Sequence, residues 1–115
     1  MDTNNEKLTV LEHEESAGTY VHTFRTPFTY EGKTFNSVSF DFDRLTGNDA
    51  LAIEAEMQAM GKPVIIPSLS GDYLVRMATR ACKESVGVDF FEMLPIRDYH
   101  TIRSKARNFL IRSES

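Results

Sequence analysis

The 115-residue sequence predicts an α+β fold, an N-terminal β-hairpin followed by three main α-helices packed on it. Two segments near the N-terminus, around residues 20–28 and 34–42, are rich in β-branched and aromatic residues and meet at Tyr30-Glu31-Gly32-Lys33. Downstream, apolar residues recur at helical rather than strand spacing. No helical stretch separates the two strands, which excludes a doubly wound α/β arrangement. At roughly 100–200 residues per domain the chain holds one domain.

Residues 1–17 are polar and acidic, with Leu8, Val10 and Leu11 as their only large apolar side chains beyond Met1. So little apolar area does not offset the entropy of ordering, so this segment is expected to be a mobile acidic arm, with 18–112 forming the domain. In the first strand Tyr20, His22, Phe24 and Thr26 are expected on one face, with Pro27 marking an edge or bulge because it cannot donate to a ladder. Gly32 supplies the turn, and Val38, Phe40 and Phe42 form the buried face of the second strand.

Thr46 is expected to cap a helix running to Met60, with Ala50, Ile53, Met57 and Met60 inward and Gly61 and Pro63 ending it. Ser70 caps a second helix, expected from Gly71 to about Val86, with Tyr73, Leu74, Met77, Ala78 and Ala81 inward and Gly87 as its stop. Phe90 to Leu94 reads as one helical turn. Pro95 opens a last helix carrying Ile96, Tyr99, Ile102, Ala106, Phe109 and Leu110 at helical spacing.

The net charge of −4 is uneven: residues 1–16 carry −4, residues 96–115 carry +3, and the middle carries −3. An acidic chain is repelled by phosphate backbones, so nucleic acid is a disfavoured partner unless the last helix acts alone. No apolar run exceeds four residues (Ala50 to Ile53), and Val64 to Ile66 and Phe109 to Ile111 are three each, far short of a membrane span. Together with the acidic N-terminus, these features point to a cytosolic protein.

The motifs of catalysis are missing. His13, His22 and His100 have no metal spacing, and there is no HExxH, GxSxG, P-loop or GxGxxG pattern. The single cysteine, Cys82, excludes an internal disulfide and is expected mid-helix as a packing residue. No catalytic residue, metal or cofactor is assigned. Two features lean toward interaction. Pro63-Val64-Ile65-Ile66-Pro67 places three aliphatics in a loop pinned by prolines, where they contact either the core or another protein or subunit. In Phe90-Phe91 only one ring need face inward, leaving Phe91 as a further contact candidate.

The segment Phe24-Arg25-Thr26-Pro27-Phe28-Thr29-Tyr30-Glu31-Gly32-Lys33-Thr34-Phe35 resembles the "F-x-x-P-x-x-x-x-G-K-x-[YF]" opening of phage and prophage tail assembly chaperones. The similarity continues through Leu45-Thr46-Gly47-Asn48-Asp49-Ala50-Leu51 and Ser70-Gly71-Asp72-Tyr73-Leu74. It ends with Leu94-Pro95-Ile96-Arg97-Asp98-Tyr99 and Asn108-Phe109-Leu110, like that family's "L-P-x-x-D-[FY]" and closing "F-L", and covers about residues 22–111.

The resemblance implies a non-enzymatic protein of the host bacterial cytoplasm without cofactors. Its partners would be the tape measure protein and tail tube subunits, and it would be absent from the finished tail. Many such chaperones are also made in a longer, frameshifted form. Self-association as a homo-oligomer is compatible with the aliphatic triplet. The methionines, five in all, suit a surface that accepts varied helices. The competing expectations are a structural tail component, such as a terminator or connector subunit, and a nucleic-acid-binding regulator using Arg103, Lys105, Arg107 and Arg112.

Overall fold

A computed structural model describes residues 18–113; the expectations for the acidic segment 1–17 lie outside the described residues. The chain forms β1 (Thr19–Tyr30), β2 (Lys33–Asp41), a 3₁₀ turn (Phe42–Arg44), α1 (Gly47–Ala59), a second 3₁₀ turn (Pro67–Leu69), α2 (Gly71–Ala81), α3 (Val88–Glu92) and α4 (Ile96–Ser113). This is the α+β order read from the sequence.

β1 and β2 pair antiparallel, closed by Glu31 (φ 51°) and Gly32 (φ 80°). Two consecutive left-handed residues give a tight turn whose twist matches that of the strands. Thr23 pairs with Ser37 and Phe28 with Phe35, so four residues of β1, Phe24 to Pro27, oppose Asn36 alone. The odd excess switches the inward parity of β2 from odd numbers near the turn to even numbers beyond it. Phe35 is therefore buried on the same face as Val38 and Phe40. Pro27 lies in this bulge. Thr26, expected inward, is exposed there, because the bulge lifts it off the ladder.

The helices cover that aromatic face. Phe90 is fully buried, in edge contact with Phe28, Tyr30 and Phe35 at ring-centroid distances of 5.4, 5.4 and 5.0 Å. Phe91 is only 1% exposed and reaches Phe40 at 6.0 Å. Its expected place on a contact surface is thus corrected: both rings of the pair enter the core. Phe42 stacks on Phe109 of α4 at 5.5 Å. α2 buries Tyr73, Leu74, Met77, Ala78 and Ala81, as its spacing predicts, and both α1 and α4 pack against it.

Several boundaries and faces differ from the sequence expectation. α2 ends at Ala81, not near Val86, because Cys82 turns extended (φ −68°, ψ 131°) and bridges Phe40 on the outer edge of β2. Lys83 donates its backbone N–H to the Ser39 carbonyl at 2.8 Å, and the Ser39 N–H donates to Glu84 Oε1 at 2.9 Å. Cys82 is therefore buried at a strand edge rather than mid-helix. Gly87 begins α3 instead of stopping α2. Of the α1 stripe, Ile53 and Met57 are buried and Ala50 is half-buried. Met60, beyond the last turn, is exposed beside Arg76 Nη2 at 3.0 Å. Ile96, at the first position of α4, is also exposed.

Phe90→Ala and Phe91→Ala should each lower the unfolding free energy by about 3–5 kcal/mol in urea titrations. A loss under about 1 kcal/mol at Phe91 would place its ring outside the core.

Candidate functional site

The candidate site is the connection between α1 and α2. Gly61 (φ 76°) turns the chain out of α1, and Lys62 donates its N–H back to the Met57 carbonyl at 2.8 Å. A left-handed residue after a helix is the usual stop, and glycine takes that conformation without strain. Pro67 opens the 3₁₀ turn, where Leu69 N–H donates to the Ile66 carbonyl at 3.0 Å. Ser70 Oγ then accepts the Tyr73 N–H at 3.1 Å, capping α2.

Two arginines of α2 hold this frame. Arg76 contacts Asp72 at 2.9 Å and Glu56 at 3.2 Å, and Arg80 contacts Asp49 and Glu56, each at 3.0 Å. Asp49 also accepts the Thr46 N–H at 2.8 Å, and this bond, with Arg80, holds its carboxyl below the usual range.

Within this frame the predicted triplet divides. Val64 is half-buried against the core, whereas Ile65 is 89% and Ile66 51% exposed. The sequence reading passed over Leu69, which is 68% exposed two positions beyond Pro67. Its signal was present: an aliphatic just before a cap lies outside the following helical stripe. The structure thus brings Ile65, Ile66 and Leu69 onto one loop and leaves Phe91 in the core. A groove of about 250 Å³ lies between Pro63, Val64, Ile65 and Pro67 and the α1 residues Glu54 and Gln58. A second, of about 170 Å³, is lined by Ser68, Leu69, Gly71, Leu74, Arg103 and Arg107.

Three titratable features elsewhere, His22, Cys82 and the Tyr30–Asp89 pair, are bound into the fold. His22 is buried, with Nε2 at 2.7 Å from Asp98 Oδ1 and Nδ1 at 2.8 Å from the Tyr20 hydroxyl. Both ring nitrogens are thereby engaged, and β1 is tied to the first turn of α4. An inward histidine on a strand face requires such partners, although the sequence does not reveal which. Burial pushes the Cys82 thiol up to about 12. The described residues include no group of three or more His, Cys, Asp or Glu arranged to hold a metal ion, and no helix among them is long and apolar enough to cross a membrane.

The Tyr30 hydroxyl donates to Asp89 Oδ2 at 2.6 Å, which pushes the tyrosine up to about 12 and the carboxyl down. A raised tyrosine contributes stability that is complete below its ordinary value near 10 and is lost as pH rises through about 12. The lowered Asp89 contributes above the ordinary carboxylate range and is lost as pH falls through its lowered value.

Ultraviolet titration should find Tyr30 ionising late, near 12, and Asp89→Asn should move it back toward 10. An unchanged titration would assign the shift elsewhere. Cys82 should react with a disulfide reagent only after denaturation; rapid reaction of the native protein would contradict its burial. Compared with known proteins, the chain matches no family model, no curated protein and no solved structure.

Proposed function

We propose that the chain is a phage tail assembly chaperone. It acts without catalysis in the host bacterial cytoplasm, binding the tape measure protein and helping bring tail tube subunits to it. Support comes from the ordered motifs between residues 22 and 111, and from one physical observation. Ile65, Ile66 and Leu69 stand more than half exposed within five residues, on a loop fastened at both ends. Exposed aliphatics clustered in this way suit contact with another protein's apolar surface.

Burying one isoleucine fully contributes about 1.5–3 kcal/mol, or roughly 10–100-fold in affinity. Ile65→Asp should therefore weaken binding of the tape measure protein at least tenfold while changing domain stability by no more than about 0.5 kcal/mol. Co-expression checks the function itself: the tape measure protein should stay soluble with the wild-type chain and precipitate with Ile65→Asp. Equal precipitation with and without the wild-type chain would sink the chaperone reading. Retention of the chain in purified virions, read by mass spectrometry, would favour a structural tail component instead.

A further inference from the structure

Two pairs of arginines in this acidic chain differ in their partners. Arg76 and Arg80 on α2 each meet two carboxylates. Arg103 and Arg107 on α4 make no ion pair among the described residues. Arg103 is half-buried, with its guanidinium 5.5 Å from the Tyr99 ring centroid, and a Cβ on Gly71 would sit 3.0 Å from its Nη1. Its head group is thus confined at the groove instead of sweeping through solvent. Arg107 follows one helical turn later, and the same groove is walled by exposed Leu69 and floored by Leu74.

Resting on the reading of the 63–69 loop as a client contact, we propose that this groove receives an acidic amphipathic helix of the client. Two client carboxylates one turn apart meet Arg103 and Arg107, and an aliphatic side chain between them packs on Leu69. The spacing decides the partner's form. Residues i and i+4 rise about 6 Å along a helix, so a helix lying beside α4 presents carboxylates at the same interval. Guanidinium forks match carboxylates in a planar, two-bond geometry. A phosphate polymer fits less well, because only two cations line the groove, Leu69 forms its wall, and the whole chain carries −4.

The test uses the full-length chain and fluorescein-labelled, alanine-based 20-residue helical peptides read by anisotropy. One peptide carries leucine with glutamates at i and i+4, a second moves the glutamates to i and i+2, and a third replaces them with lysines. The i, i+4 glutamate peptide should bind saturably, at least about tenfold tighter than the i, i+2 peptide. Arg103→Glu/Arg107→Glu should reverse the preference toward the lysine peptide. Arg107→Glu alone, at an exposed position, should weaken glutamate-peptide binding even if the double variant melts early.

Equal binding of the glutamate peptide to wild type and variants would overturn the inference, as would preferential binding of duplex DNA or anionic vesicles at this pair. The two readings fail separately. If Ile65→Asp abolishes rescue of the tape measure protein while charge reversal changes neither rescue nor peptide binding, the inference falls and the chaperone reading stands. A tape measure protein that precipitates regardless removes the chaperone reading, and with it the identity of the client.

Discussion

The fold depends on the bulge in β1 that sets Phe24 to Pro27 against Asn36. Strand side chains alternate with a period of two, so an unbroken register would send Phe35 and Val38 to opposite faces. The odd excess brings both inward and gives the hairpin one continuous aromatic face. Phe90 occupies the half nearer the turn, against Phe28, Tyr30 and Phe35, and Phe91 reaches Phe40 in the other half. Two adjacent rings of one short helix therefore span the bulge. Proline suits the bulged strand, since an N–H it lacks is one the ladder does not need there.

A two-stranded sheet is marginal in water, and its edges need attention as well as its face. Residues 82–84 close the outer edge of β2 with a bridge, a backbone bond to Ser39 and the Glu84 carboxylate. The His22–Asp98 contact ties β1 to α4, and Phe42 stacking on Phe109 adds a second tie between the end of the hairpin and that helix. Each hydrogen bond contributes only about 0.5–1.5 kcal/mol net. Their joint effect is to fix how the hairpin sits on the helices, and so to seat the Phe90–Phe91 pair in the aromatic face.

The parts legible in the sequence were those governed by local chemistry: the alternation of β2 beyond the bulge, the turn at Gly32, the Ser70 cap and the inward stripe of α2. The parts that escaped depend on distant partners. Cys82-Lys83-Glu84 contains no helix breaker, and α2 stops there because Ser39 offers backbone groups to pair. Phe91 looked free because a short helix ordinarily buries one ring, but aromatic residues from both halves of the hairpin enclose two. Of the candidate surface, Ile65 and Ile66 were legible as aliphatics between prolines. Leu69 and the Arg103–Arg107 groove appear only once α4 lies beside the start of α2.

The exposure of that loop follows from its construction. Val64 packs against the core while Ile65 faces solvent, and Pro67 starts a 3₁₀ turn that ends on exposed Leu69 before α2. Polar residues at 65, 66 and 69 would satisfy the same backbone, since none of these side chains is needed to fill the core. Large aliphatics there lower solubility and contribute little to folding. The packing of the fold therefore does not account for their size, and it is this that supports the client contact proposed above.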